Sequence, residues 1–338
     1  MAVRIGFMGA GLIAHFHALG LHESAESVAF AGVHDPDHGR AEEFAAGWGA
    51  TACATEAEAL DGCDAVYVCS WTSEHARLVD LACDRHLPVF CEKPLAFDAA
   101  GAEAMAGAVE AAGVINQVGL VLRHSPSFSY LSHLVQDPAA GGVMSVVFRD
   151  DQYIPVQGMY ASTWRGERAK AGAGTLLEHS IHDVDILEQI VGRIASVSAR
   201  SANFHGLDGI EDTVATAFDL DDGGVGVHTS IWHDVMERPS LRRVEVFCER
   251  RHVVLDHDWR GPVSWTTTGD DERRLKGDEL VAACSEAGLP VGSPDGAFVR
   301  AVAEGRPASP TFRDAVRPHQ VVDAIYRSAA TGSSVHLP

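Results

Sequence analysis

Residues 4–18 read RIGFMGAGLIAHFHA: an apolar run, a Gly-Ala-Gly turn, then a helical pattern. A strand feeding straight into a helix must come back across its own sheet, so the next strand lies parallel to the first. The rest of the first ~120 residues repeats that rhythm. Strand-like runs fall at 3–9, 27–33, 64–70, 88–92 and 115–122, with helical patterns near 13–21, 36–48, 74–86 and 98–112. The strands are almost continuously apolar, as expected when helices cover both faces of a sheet. A Rossmann-type, doubly wound parallel domain over residues 1–122 is the expectation.

The rhythm changes after Arg123. A helix (127–137), a strand (142–153) and a loop lead to a long helical pattern from Thr175 to Val191. Runs at 194–203, 211–220, 224–233, 241–249 and 251–258 then follow with no helix between them, broken by turn signals such as DLDDGG. That order predicts a large, mostly antiparallel open sheet in an α/β domain spanning 123–338.

The glycine turn has a chemistry of its own. Gly9 permits the tight bend, Gly11 lets a pyrophosphate approach the backbone, and small Ala14 allows the helix to pack on its strand. The first helical amides, at Leu12 and Ile13, face the phosphates with the helix dipole behind them. Asp35 ends the second strand, where a carboxylate accepts both ribose hydroxyls and repels a 2′-phosphate. A dinucleotide, NAD rather than NADP, is therefore expected, although Arg40 lies close by. Such local anion-binding devices are needed in a chain whose formal charge is -21, a field that argues against nucleic acid as a partner. The seven cysteines form no C-x-x-C pair and sit mostly in apolar runs, which points to free thiols in a reducing compartment, the cytoplasm. No apolar run approaches the length of a membrane span.

Two features carry possible reaction chemistry. On one helical wheel, Glu178, His182 and Asp185 share a narrow sector, with Leu177, Ile181, Val184, Leu187 and Val191 spread over the other side. Such a stripe is what a solvated face looks like, and also what a histidine general base flanked by acids looks like. A metal site through His179 and His182 lacks a nearby third ligand, so no metal is expected. The second feature is Lys93, one of only three lysines, in VFCEKPLAFD. It stands at the C-terminal end of a parallel strand, the edge at which doubly wound sheets bind ligands.

These residues together resemble the glucose–fructose oxidoreductase/inositol dehydrogenase/MocA (Gfo/Idh/MocA) family. GFMGAGLIA is similar to its cofactor turn, DAVYVCSWTSEH to its T-P-N-x-x-H type motif, FCEKPLA to its E-K-P signature, and GAGTLLEHSIHDVDILEQIVG to its H-x-x-D helix. The resemblance covers almost the whole chain, including the last helix and a short final strand. It implies NAD(P)-dependent oxidoreductase activity. Lys93 would polarise the reacting oxygen, His182 would be the general acid/base, and Asp185 would be the helix aspartate. Ser70, Thr72, His75 and Glu92, with Lys93, would contact the cofactor, His75 near the nicotinamide. A cis Lys93–Pro94 peptide is expected. The chain departs from the pattern at Glu178, where many members carry Asp, and at Trp71, where proline is usual.

The expected reaction is reversible hydride transfer between nicotinamide and a secondary carbinol of a sugar, inositol or related polyol. Glu178 would hold and tune the His182 imidazole, and the Lys93 amine and His182 ring would converge beside one nicotinamide. Tyr153, Trp164, Arg165, Trp232 and His233 are the expected substrate contacts. The substrate should be neutral, because the second half shows no basic cluster fit for a sugar phosphate. A homodimer or homotetramer through the open sheet is implied by the resemblance. The alternatives are hydrolysis or elimination through a transient keto-sugar, and a non-catalytic NAD(H) sensor.

Overall fold

Strand β1 (Val3–Met8) buries every residue except Arg4, which suits it to the middle of a sheet. After it come α1 (Leu12–Glu23), β2 (Val28–His34), α2 (His38–Trp48), β3 (Thr51–Ala52), α3 (Glu56–Leu60) and β4 (Ala65–Val68). Next are α4 (His75–Cys83), β5 (Val89–Cys91), α5 (Ala99–Ala112) and β6 (Asn116–Val118). The six strands pair parallel in the order β3-β2-β1-β4-β5-β6, and the order reverses between β1 and β4. Ligand crevices open beyond the carboxyl ends of the strands at such a reversal. Helix starts are written in the sequence: Asp37, Thr55 and Asp98 accept from the amides of Gly39, Glu58 and Gly101. Each such cap contributes about 1 kcal/mol.

In this computed structural model, which describes residues 1–158 and 160–338, the chain forms two units. The first comprises Met1–Leu120 and Ser293–Val316, the second Val121–Gly292 and Arg317–Pro338. The sequence reading placed everything after residue 122 in the second domain; the structure returns 293–316 to the first. The reason is packing. Phe298 stands edge-on to Tyr67 and Phe90, with centroids 5.6 and 5.8 Å away, while Phe312, Ala315 and Val316 bury against the other face's helices. An amphipathic helix announces an apolar stripe but not the surface that will cover it.

The second unit opens with α6 (Pro126–Gln136), β7 (Val143–Tyr153), α7 (Arg168–Ala171), α8 (Thr175–Glu178) and α9 (Ile181–Val191). Then come β8 (Ile194–Ala202), β9 (Thr213–Leu220), β10 (Val225–His233), β11 (Leu241–Cys248), β12 (Arg251–Leu255), β13 (Val263–Thr267) and β14 (Arg273–Leu275). Helices α10 (Gly277–Glu286), α11 (Pro294–Glu304) and α12 (Phe312–Thr331) and strand β15 (Val335–His336) complete the chain. Among the described residues the sheet has nine strands, ordered β14-β13-β12-β11-β7-β10-β9-β8-β15, with β7 and β10 its one parallel pair. Residues alternate as a half-covered sheet requires: Val146 and Phe148 enter the core, and Val147 stays exposed. Among the described residues no helix is long and apolar enough to cross a membrane.

Candidate active site

In the first unit, register brings the predicted cofactor residues to one sheet edge. Met8 pairs with His34 and with Val68, and Val68 pairs with Cys91, so Gly9, Asp35, Ser70 and Lys93 all follow adjacent strand ends. Gly9 has φ +98°, and a Cβ there would lie 2.4 Å from the Cys69 carbonyl oxygen. A Cβ on Gly11 would meet nothing within 4 Å among the described residues. The space beside Gly11 is open, and the amides of Leu12 and Ile13 start α1 without intrahelical acceptors. The turn therefore fits a pyrophosphate. Asp35 is half-buried and already engaged: its Oδ2 accepts from the Ala10 amide at 2.8 Å and its Oδ1 from the Asp37 amide at 2.9 Å. A carboxylate has lone pairs left for ribose hydroxyls after two such bonds.

The loops after β4 and β5 are joined by His75. Its ring is buried, with Nδ1 donating to the Pro94 carbonyl at 2.9 Å and Nε2 3.3 Å from the Ser70 carbonyl. These bonds make His75 a staple between two backbones, where the sequence suggested a contact to nicotinamide. Thr72 is buried, and Ser70 is half-buried with its Oγ donating to the Trp71 carbonyl at 3.3 Å. The Lys93–Pro94 peptide is cis, and Lys93 is half-buried between fully buried neighbours. Glu92, expected at the cofactor, turns inward instead. It is 6% exposed and its Oε1 accepts from His17 Nε2 at 2.9 Å. His17 Nδ1 lies 2.7 Å from Asp295 Oδ1.

In the second unit the expected single helix over Thr175–Val191 is two helices, α8 and α9. The Ser180 amide bonds the Thr175 carbonyl at 2.9 Å, an i−5 link, before i−3 and i−4 bonds resume from Ser180. Such π-type turns insert a residue and rotate the remainder of the helix about its axis. Side chains below the break account for it. Ser180 Oγ donates to Asp150 Oδ2 at 2.9 Å and lies 2.6 Å from the Ser230 hydroxyl, and His179 Nε2 reaches Asp150 at 3.0 Å. Arg242 closes this buried set, donating to Asp183 at 2.6 Å and to Asp258 at 2.6 Å. Burial alone would raise the Asp150 carboxyl, but Arg242 and His179 outweigh it and hold it well below the usual range. Asp183 is pushed up, by burial and then by the Asp150 charge.

The wheel that grouped Glu178, His182 and Asp185 therefore does not run through the break. His182 and Asp185 remain one turn apart on α9, and both are buried. Asp185 takes a bidentate pair from Arg123, at 2.8 and 2.6 Å, which ties α9 to the segment preceding α6. Glu178 accepts from Arg165 Nε at 3.0 Å. Arg165, expected at the substrate, thus serves Glu178, and its guanidinium lies 4.7 Å from the Trp164 ring centroid. Trp232 is core: it is 2% exposed and packs with Ile154, Ala171 and Ile210. Tyr153 and His233 are half-buried and meet edge to face at 5.6 Å. Sequence reasoning missed His17, Asp295, Arg123 and Arg242. Two of them were visible as polar residues on apolar faces: His17 in the buried stripe Ala14, His17, Ala18, Leu21, and Arg242 in the inward row of β11.

Comparison with known proteins agrees with the fold of both units. A family model described as an oxidoreductase family with an NAD-binding Rossmann fold matches residues 3–120, and the GFO/IDH/MocA C-terminal domain matches 128–254. The chain is 27% identical to the inositol 2-dehydrogenase of Rhizobium meliloti (strain 1021), with 100% of both covered. It is 30% identical over 233 residues to the scyllo-inositol 2-dehydrogenase (NAD(+)) of Bacillus subtilis (strain 168), covering 66% of each. Levoglucosan dehydrogenase, solved with NADH and levoglucosan, shares the fold at a TM-score of 0.87 and 20% identity over 100% of both chains.

Proposed function

Because the chain belongs to the Gfo/Idh/MocA oxidoreductase family, with its NAD-binding Rossmann fold, we propose that it transfers a hydride between NAD and a secondary hydroxyl of an inositol, sugar or related polyol. One observation carries the reading: Lys93 stands half-buried in a turn of buried residues, on the same sheet edge as the glycine turn. NAD, when bound, supplies the hydride acceptor. Lys93 donates to the substrate oxygen and stabilises the negative charge that grows as hydride leaves. His182 takes the hydroxyl proton in oxidation and returns it in reduction. Arg165 sets the Glu178 carboxylate, and Arg123 sets the Asp185 end of α9. Tyr153, Trp164 and His233 remain the substrate contacts.

The proposal extends to assembly and compartment. Exposed Val147, Val225, Val227 and Phe247 lie on neighbouring strands β7, β10 and β11, and a second copy of the chain would cover them in a homodimer or homotetramer. Seven free cysteines, six of them buried, suit the reducing cytoplasm.

A spectrophotometric screen of inositols, aldoses and keto-sugars with NAD(H) and NADP(H) tests the reaction. Net NADH should form with an inositol or sugar, and NAD should be preferred. Lys93→Ala should lower kcat by about 10²–10³-fold with NADH affinity kept, and His182→Asn by about 10²–10⁴-fold. Unchanged turnover in Lys93→Ala would remove the mechanism and leave an NAD(H) sensor. Product without net NADH would indicate elimination through a transient keto-sugar.

A further inference from the structure

A buried charged cluster in the first unit takes no part in the mechanism. His17, Glu92 and Asp295 are 4%, 6% and 5% exposed, and both His17 ring nitrogens face carboxylate oxygens, at 2.7 Å to Asp295 and 2.9 Å to Glu92. A neutral imidazole has one N–H, so two such bonds to carboxylates require the doubly protonated ring. Burial by itself would lower the His17 pKa, and Asp295 followed by Glu92 reverse that, raising it to about 10. Tyr67 and Phe90 wall the ring, at 5.4 and 4.8 Å between centroids.

The surroundings are cut to hold this cluster. A Cβ on Gly20 would stand 2.4 Å from Asp295 Oδ2, and one on Gly119 would stand 2.3 Å from Glu92 Oε1. Both glycines have ordinary φ, so the space they leave, not their flexibility, is what the carboxylates use. Asp295 is set by Ser293, which caps α11 on the Gly296 amide, and by Gln117, which donates to the Pro294 carbonyl at 3.0 Å.

We propose that His17 is a positioning residue for Lys93: as an imidazolium gripped by Asp295, it fixes Glu92 and so the turn that presents the reacting amine. The inference rests on the reading of Lys93 above. Glu92 is the residue before Lys93 and also accepts the Lys93 amide, at 3.3 Å, on its Oε2. His75 holds the far side of the turn through the Pro94 carbonyl. The turn is thus clamped on both flanks of one residue. His17 also stands one helical turn beyond Ala14 on α1, so the helix that starts at the pyrophosphate turn reaches the lysine turn as well. Asp295 arrives only with 293–316, the segment that returns to the first unit.

The three lysines make Lys93 observable without turnover. Reductive methylation of the full chain with ¹³C-formaldehyde keeps each amine basic and gives one methyl signal per lysine, with Lys93→Arg identifying its own. Asp295→Asn should shift or split the Lys93 signal and leave Lys170 and Lys276 in place. Gly119→Ala, which displaces the Glu92 carboxylate without removing a charge, should do the same and serves if Asp295→Asn does not fold. Imidazole ¹⁵N shifts should report a doubly protonated His17 at pH 8 in the unaltered chain and its loss in Asp295→Asn. In the oxidoreductase assay, kcat should fall on the order of 10- to 100-fold in either variant, with KM for NAD little changed. A Lys93 signal unmoved in folded Gly119→Ala and Asp295→Asn overturns the proposal. Full activity of Lys93→Ala would overturn the catalytic reading instead, so the two failures are separable.

Discussion

Gly9 and Gly11 lie two positions apart in the same turn, and the backbone gives them opposite reasons to be glycine. At Gly9 a side chain meets a positive φ and the Cys69 carbonyl; at Gly11 it meets open space. Gly9→Ala should therefore destabilise the first unit by at least about 1–3 kcal/mol, measured by urea unfolding. Gly11→Ala should unfold at the same urea concentration yet weaken NADH binding, read by fluorescence titration. His17 supplies a second residue-scale prediction, with a definite sign. Its pKa is raised on folding, from 6.5 to about 10, so its stabilisation is complete below pH 6.5 and is lost as pH rises through 10. Glu92 runs the other way: its pKa is lowered, so its share is present above its ordinary value near 4.5 and lost in acid. Unfolding free energy should fall between pH 6.5 and 10 by about 1.4 kcal/mol per unit from this one proton. Subtracting the profile of His17→Asn isolates it, and identical slopes would refute the assignment. Tyr67 and Cys69, which also face the cluster, are held neutral by burial through that window.

At the scale of elements, α8 and α9 show how a polar network overrides a helical pattern. The residues 175–191 have the periodicity of one helix, and propensity alone supports it. Tertiary partners decide otherwise: Asp150 on β7 and Ser230 on β10 each bond Ser180, and the helix breaks over them. Arg242 is the cation of that network, 8% exposed, with its charge shared among Asp150, Asp183 and Asp258. Removing the cation of a buried set leaves its carboxylates short of their main counter-charge, at a cost of about 3–5 kcal/mol. Arg242→Ala should lose that much stability in denaturant unfolding and raise amide exchange across α9. A loss below about 1 kcal/mol, the worth of a surface pair, would mean that the network does not anchor the helix.

At the scale of the molecule, the nine-stranded sheet has helices on one face and an exposed face carrying Val227, 44% exposed, near its middle. An edge strand is protected by charge or by brevity, whereas an apolar mid-sheet patch is covered only by another surface. Light scattering after gel filtration should give a dimer or tetramer, and Val227→Glu should shift it toward smaller species with the first unit's stability unaltered. A monomer at micromolar concentration would refute the assembly. The two-unit division has its own consequence: ending the chain before residue 293 should disrupt the first unit, because Phe298 and Asp295 would be missing from its core.

What the sequence determined by itself is local in origin. Alternating strand and helix patterns, the glycine turn, Asp35 and the E-K-P and H-x-x-D stretches are each contained in short windows, where spacing dictates backbone form and chemistry together. Two-residue β3 and the short β13 and β14 escaped because they span less than a few periods of any pattern. The tertiary structure decided which charges face one another. His17 and Asp295 are 278 positions apart, and Arg123 and Asp185 are 62. A buried ion pair depends on desolvation and on angstrom-scale geometry. Neither exists until the chain has closed on itself, so Glu92 read as a cofactor contact in sequence, and only the tertiary structure sets its carboxylate against the buried His17 ring.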